Sequence, residues 1–223
     1  MFLPQSSIIM KALTISILIL LTISTFSQEE TKSTEERIQE LEEQISDYKH
    51  RFDKLEKMID DVLWFKRMED LAIIDKVFIY GPPRAKVKNP DDVGADNPVR
   101  FWSYVFIPKT IDLDKKYPLI VFPHGGVHSD FNTYYTHIVR ELIAQEYIVI
   151  APEYRGSTGY GKKFYELIDY GGREIGDVDA SRKYMIENYS FVDADRVGLF
   201  GWSHGGLITL MCLFEYPENY KVG

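Results

Sequence analysis

The sequence predicts an α/β fold: a mostly parallel sheet with helices on both of its faces, preceded by one long helix. Two features of the chain indicate this class. From residue 119 onward, short apolar segments alternate with helical ones, an order typical of parallel sheets. Before residue 69, apolar residues recur at steps of three and four, as in an amphipathic helix. After the long helix the predicted elements are strands at 76–80, 100–107 and 119–122, a helix at 133–145, a strand at 147–151, a helix at 175–188, a strand at 196–200 and a helix at 207–216.

The 223 residues divide into three predicted segments, 1–27, 28–68 and 69–223. The first has the pattern of a signal peptide, because Met10-Lys11 precedes an uncharged run at 12–26 and Thr25-Phe26-Ser27 has the small-x-small form of a cleavage site. A membrane span needs about 20 apolar residues, more than this run provides. We therefore expect export to the periplasm or the extracellular space, with cleavage near Ser27 and no stable membrane span afterwards. An uncleaved leader that anchors the protein is the alternative.

Composition argues against several classes of partner. The net charge is −8 and the lysines and arginines are scattered, so we expect no nucleic-acid partner. Cys212 is the only cysteine, which excludes a disulfide within the chain. His124 and His128 have the four-residue spacing of a helical metal pair, but Gly125-Gly126 would break such a helix. We expect neither a metal nor another cofactor.

Segment 28–68 has the heptad pattern of a coiled coil. With four a positions and four d positions, we expect a homodimer through residues 37–63, and mostly β-branched a residues with leucines at d favour two strands. The alternative is a single amphipathic helix that docks on the rest of the chain through the same stripe. The a residues are Ile38, Ile45, Phe52 and Ile59, and the d residues are Leu41, Tyr48, Leu55 and Val62.

The pentapeptide Gly201-Trp202-Ser203-His204-Gly205 lies between a predicted strand and a predicted helix. A G-x-S-x-G sequence in this context is typical of the nucleophile elbow of an α/β-hydrolase, in which a strained turn exposes a serine above the sheet. Gly201 and Gly205 remove the Cβ atoms that would clash in such a turn. The pattern predicts that Ser203 is a catalytic nucleophile.

His124-Gly125-Gly126 follows the apolar strand at 119–122, where an oxyanion hole is expected. The negative oxygen formed when a serine attacks a carbonyl needs two backbone N–H donors already in place. We expect one from Gly125 or Gly126 and one from His204, the residue after the nucleophile. The His124 ring is expected to brace its loop, and His204 to contribute its amide and not its imidazole.

The third motif is Glu153-Tyr154-Arg155-Gly156-Ser157-Thr158-Gly159-Tyr160-Gly161. Together with the two motifs above, it resembles the catalytic domain of the prolyl oligopeptidase family of serine peptidases, especially its acylaminoacyl-peptidase and dipeptidyl-aminopeptidase branches. The resemblance extends from about residue 75 to residue 223. It implies that Ser203 is the nucleophile and that Tyr154 and Arg155 support the site. Arg155 can equally be an ordinary ion-pair arginine.

The sequence departs from the family in three ways. His124 stands where some branches have a tyrosine that serves the oxyanion. The N-terminal β-propeller that usually filters substrates is not in this sequence, so substrate preference cannot be transferred. In this fold the triad acid and base follow the nucleophile in the chain, but four of the five histidines precede Ser203 and the fifth is His204. We interpret the chain as the amino-terminal part of a longer hydrolase, which we expect to be inactive alone.

Three hypotheses for function follow. The first is a secreted serine peptidase that cleaves short peptides through an acyl-enzyme on Ser203, with a histidine outside this chain as base. The second is a carboxylic-ester hydrolase or deacylase on the same fold. The third is a catalytically dead hydrolase remnant that acts as a coiled-coil interaction module.

Overall fold

The computed structural model describes residues 32–84 and 98–223. The chain divides into two units, residues 1–46 and 47–223, and helix α1 (Thr34–Met68) begins in the first and ends in the second. The predicted signal peptide, and residues 85–97 between the first two predicted strands, lie outside the described residues. In the two described ranges, no helix combines the length and the apolar character that a membrane crossing requires.

Helix α1 has defined signals at both ends. At its start, the Ser33 hydroxyl accepts the Glu36 N–H at 3.1 Å and the Glu36 carboxylate accepts the Ser33 N–H at 2.7 Å. This reciprocal pair is a capping box, which satisfies two backbone donors that a helix terminus leaves open. Lys66 and Arg67 lie in the last turn, where positive charge complements the helix dipole.

Within the described residues, five strands, numbered in chain order with the ranges given at the end of this paragraph, form one mixed sheet in the order β1-β2-β4-β3-β5. Strand β2 is antiparallel to both of its neighbours, whereas β3 is parallel to β4 and to β5. Every strand except β2 therefore runs in the same direction. Val222 makes a further parallel bridge to Gly198 of β5. The strands are β1 (Ala72–Pro83), β2 (Pro98–Pro108), β3 (Tyr117–Val121), β4 (Ile148–Pro152) and β5 (Val192–Leu199).

Helices cover both faces of this sheet. Along β4, Ile148 and Ile150 lie in one core cluster with α4 and α5, while Val149 and Ala151 lie in another with α1 and α2. The predicted fold class is confirmed. The single turn α3 lacks an apolar period and was not predicted. The helices after α1 are α2 (Thr136–Ala144), which continues from a 3-10 turn at Thr133–Tyr135, α3 (Lys162–Tyr165), α4 (Arg173–Asn188) and α5 (His204–Glu215).

The structure does not support the alternative in which α1 docks through its apolar stripe. All eight a and d residues are exposed, with exposed fractions between 51% and 67%. In the second unit, α1 packs on the sheet through Lys57, Trp64 and Met68 instead. The Trp64 ring stacks on Phe131 at 5.4 Å, and its indole N–H donates to the Phe131 carbonyl at 3.3 Å. The helix does dock, but the apolar stripe is not the face that docks.

Candidate active site

Ser203 lies on the turn between β5 and α5, and its side chain is exposed. Its φ of 55° and ψ of −116° are a conformation that residues with a Cβ rarely adopt. The turn is possible because Gly201 has no side chain, since a Cβ there would lie 2.1 Å from the Gly205 carbonyl oxygen. These features give the strained strand-to-helix turn of a nucleophile elbow.

The elbow and the His124-Gly125-Gly126 loop touch through backbone atoms. A Cβ on Gly205 would lie 2.3 Å from the Pro123 carbonyl oxygen, and one on Gly125 would lie 2.7 Å from the Trp202 carbonyl oxygen. Any larger residue at either position would separate the two segments. The structure thus brings together the two motifs that the sequence places far apart in the chain.

The His124 ring is fully buried and braces its loop. Its Nε2 lies 2.8 Å from Ser157 Oγ and its Nδ1 lies 3.0 Å from the Gly125 carbonyl oxygen. The ring stacks on Tyr154 at 4.3 Å, and the Tyr154 hydroxyl donates to the carbonyls of His124 and Gly126. Burial lowers the pKa of His124 to about 4. Because the ring is held by these contacts and is protonated only at low pH, its role is to orient the loop.

Two of the three candidate oxyanion amides are free. The Gly125 N–H donates to the Tyr135 hydroxyl at 3.0 Å, a contact that sequence reasoning missed because Tyr135 belongs to a predicted helix. Within the described ranges, the N–H groups of Gly126 and His204 have no acceptor. The His204 amide also opens α5, where unpaired N–H groups favour negative charge. Gly126 and His204 are therefore the better pair of donors.

The His204 imidazole points into the protein. Its Nε2 is buried without a hydrogen-bond partner among the described residues and lies 3.5 Å from Glu174 Oε1. Burial, followed by the positive charge of nearby His128, lowers the pKa of His204. Burial and a hydrogen bond with Asp169 raise the pKa of Glu174 to about 7.

Arg155 supports the loop that follows β4. Its fully buried guanidinium pairs with Asp177, with Nη2–Oδ1 at 2.7 Å and Nε–Oδ2 at 2.8 Å. It also donates to the carbonyls of Pro82 and Pro83 at the end of β1. Burial raises the pKa of Asp177 to about 6 even though Arg155 opposes that shift. Arg155 thus ties its loop to α4 and to the sheet edge, so its role in the structure is architectural.

Sequence reasoning missed a buried ionic cluster behind the His124 loop. Lys57 of α1 reaches Glu153, with Nζ–Oε1 at 2.7 Å, and also Asp130 at 3.3 Å. Glu153 accepts the Phe131 N–H, and its Oε2 lies 3.6 Å from His124 Nε2. The sequence did offer one signal, because Glu153 directly follows a buried strand. A carboxylate buried there needs a positively charged or hydrogen-bonding partner. The partner's identity was not readable, because Lys57 lies far away in the chain.

This geometry supplies an exposed serine and backbone donors for an anion. No hydrogen-bond partner of the Ser203 hydroxyl occurs among residues 32–84 and 98–223. The strained elbow, the adjoining His124-Gly125-Gly126 loop and the sheet topology together define an α/β-hydrolase.

Part of the chain matches a known family of serine peptidases. Residues 132–223 match the sequence model of the prolyl oligopeptidase family, which confirms the resemblance carried by the motifs and assigns this part of the chain to that family. The match includes Ser203 and Arg155 and begins after the His124 loop.

Curated relatives extend the match. Dipeptidyl-peptidase 5 of Porphyromonas gingivalis is 37% identical over 156 residues, which are 68% of this chain and 22% of that protein. Human dipeptidyl peptidase 8 is 32% identical over 142 residues, or 60% of this chain and 16% of that protein. The chain therefore spans less than a quarter of the length of each.

Solved structures share the fold at low identity. A puromycin-hydrolyzing peptidase of Mycobacterium tuberculosis aligns with a TM-score of 0.56 and 22% identity, covering 67% of this chain and 21% of that one. An acylaminoacyl peptidase of Pyrococcus horikoshii aligns with a TM-score of 0.55 and 20% identity, covering 72% of this chain and 23% of that one.

Proposed function

We propose that Ser203 is the nucleophile of a serine peptidase that cleaves short peptides through an acyl-enzyme. The observation that carries this proposal is the exposed serine on a strained turn against the His124 loop. A base takes the proton of the Ser203 hydroxyl as Oγ attacks the scissile carbonyl carbon, which becomes tetrahedral. The C–N bond then breaks, and the base gives the proton to the leaving amine, so the acyl group stays on Ser203. Water then releases the acyl group by the same steps.

The developing oxyanion is assigned to the amides of His204 and Gly126. Both N–H groups are unpaired among the described residues, so they are available without breaking an existing hydrogen bond. Donors fixed in the backbone need little reorganisation as charge forms, which is the largest single contribution in many acyl-transfer enzymes. Removing one such donor typically slows turnover by about 100-fold or more.

The general base in this proposal is a histidine from outside this chain. His124 does not suit the role, because it is fully buried, both ring nitrogens have near partners and its pKa is lowered to about 4. His204 turns its ring towards Glu174. A serine hydroxyl without a base is a weak nucleophile.

A fluorophosphonate probe tests the assignment of Ser203. In the full-length protein we expect covalent labelling that Ser203→Ala abolishes. Ser190→Ala is the matched control, since Ser190 is also exposed but lies in the loop before β5, and it should label as the parent does. Labelling that survives Ser203→Ala would remove this residue from the mechanism.

The substrate class needs a separate measurement. Short peptidyl amides and simple acyl esters should be compared by kcat/KM on one preparation, and turnover of esters alone would favour the carboxylic-ester hydrolase. The third candidate, a catalytically dead remnant, draws support from the Ser203 hydroxyl, which has no hydrogen-bond partner among the described residues. A full-length protein that neither labels nor hydrolyses either substrate would establish it.

We also propose that the protein is exported, on the basis of the apolar run at 12–26 and the small-x-small site at Thr25-Phe26-Ser27. Mass spectrometry of the protein from its native host should find a mature amino terminus at Gln28. An intact leader in a membrane fraction would indicate an anchor instead.

A further inference from the structure

The apolar stripe of α1, defined as the eight a and d residues, has no partner within the described residues. In the first unit, Ile38, Leu41 and Ile45 are each more than half exposed. In the second unit the same holds for the other five, Tyr48, Phe52, Leu55, Ile59 and Val62. Contiguous exposed apolar surface of this kind marks an interaction site.

The docked face of α1 lies on the opposite side of the helix. Lys57 and Trp64, both buried, occupy successive f positions of the heptad. An f residue lies roughly 150° around the helix from both a and d. While Trp64 remains in the core, the part of the stripe in the second unit cannot turn towards the sheet. Docking and pairing with another chain therefore do not compete for the same side chains.

We propose that the stripe pairs with the same stripe of a second copy of this chain, as a parallel two-stranded coiled coil. The occupant is identified by the residues that flank the seam. In a parallel pair, each g residue meets the e residue five positions later on the other helix. Arg37 then meets Glu42 and Arg51 meets Glu56, so both pairs are attractive.

The remaining flanking pairs agree with the same register. Gln44 meets Lys49, which is neutral, and Met58 meets Leu63, which adds two apolar side chains beside Ile59. Met58 is 56% exposed among the described residues, and this pairing would cover it. No flanking pair is repulsive, and a stripe dominated by β-branched residues at a with leucine at two d positions favours two strands.

Sedimentation velocity of the full chain over a micromolar concentration series tests the proposal. The parent should be a dimer, and Ile45→Glu with Ile59→Glu should weaken that dimer by about 100-fold, because each carboxylate would be buried in an apolar seam. Both positions are exposed in the unpaired chain, so at concentrations where the parent is monomeric the variant should match its far-ultraviolet circular dichroism and melting behaviour.

The matched control addresses a second exposed apolar patch on α5. Leu210 and Phe214 are 53% and 75% exposed, and Leu210→Glu with Phe214→Glu should leave the dimer intact. A parent that stays monomeric, a dimer that survives the Ile45 and Ile59 substitutions, or loss of the dimer only in the α5 variant would overturn the proposal. Trimers or tetramers would overturn the two-stranded assignment. A monomeric parent that binds phosphatidylcholine vesicles through the stripe would assign the surface to lipid instead.

Crosslinking tests the parallel register without weakening the seam. Leu41→Cys places a thiol at d, where two parallel helices bring identical residues together, and mild oxidation should yield a disulfide-linked dimer. Glu43→Cys, at the outward f position, should not crosslink. The native Cys212 is buried and contributes little background. Equal crosslinking at both positions, or none at Leu41→Cys, would exclude this pairing.

Discussion

Helix α1 buries a lysine and exposes an isoleucine two residues later. Lys57 is 3% exposed on the face that docks on the sheet, and Ile59 is 63% exposed on the opposite face. Lys57 is buried because carboxylates, a carbonyl and the Tyr104 ring surround its ammonium group. The position of a buried charge is therefore set by its specific partners. An apolar stripe shows only that a surface can be buried, and it does not identify the partner that buries it.

The largest expected effect on stability comes from removing the buried ion pair between Lys57 and Glu153. Lys57→Met leaves Glu153 buried without its cation, which typically costs 3–5 kcal/mol, about half the stability of a small domain. Urea unfolding of the full chain should show the loss. Lys54→Met is the matched control, because Lys54 is exposed on the same helix and should have little effect.

A second substitution shows whether the loss comes from the unpaired charge. Lys57→Met combined with Glu153→Gln should be clearly more stable than Lys57→Met alone, since the amide removes the buried negative charge. Equal stability of the single and double variants would mean that the lysine stem, and not its charge, carries the docking.

A smaller effect on stability is expected from the titration of His124, which lies next to the Lys57–Glu153 pair. The folded pKa of His124 lies near 4, below its ordinary 6.5, so the unfolded chain binds more protons between these values. Stability from this group is therefore full above pH 6.5 and is lost as pH falls towards 4, by about 1 kcal/mol between pH 7 and 5.5. Urea unfolding at both pH values measures this loss. Between pH 7 and 5.5 the free energy of unfolding should fall by about 1 kcal/mol more in the parent than in His124→Gln. A parallel pH response in the two proteins would contradict the assignment.

The smallest effect is expected on the exposed face. Ile59→Gln should change the free energy of unfolding of the monomer by less than about 0.5 kcal/mol, because the side chain is already mostly in water. The measurement belongs at the lowest practical protein concentration, where pairing between copies does not contribute. A loss comparable to that of Lys57→Met would mean that the isoleucine packs within its own chain.

Local patterns in the sequence were sufficient for the strands, the long helix and the elbow. Strand β4 was predicted from five consecutive apolar residues, and Ser203 from a motif whose glycines have a steric purpose. The hydrophobic period of α1 predicted a helix correctly, but the alternative reading, in which the stripe docks on the rest of the chain, does not match the face that is buried. The spacing of apolar residues identifies only apolar faces of a helix. It therefore could not indicate a docked face that contains the charged residue Lys57.

Contacts between distant segments were the part that local patterns could not provide. The Tyr135 hydroxyl on the Gly125 amide and the Lys57–Glu153 pair each join separate elements. From local sequence alone, Tyr135 looks like an ordinary aromatic residue of a helix and Lys57 looks like an ordinary surface lysine. Lys57 and Glu153 meet only because α1 packs on a face of the sheet to which β4 contributes.

The contact between the elbow and the His124 loop has a consequence for motion. Gly205 faces the Pro123 carbonyl, and Gly125 faces the Trp202 carbonyl, with no side chain between either pair. Rotamer changes therefore cannot alter the spacing of the two segments, which shifts only if one peptide plane moves against another. The amides of Gly126 and His204 should thus fluctuate together, as if they belonged to a single rigid body, although one follows β3 and the other follows β5.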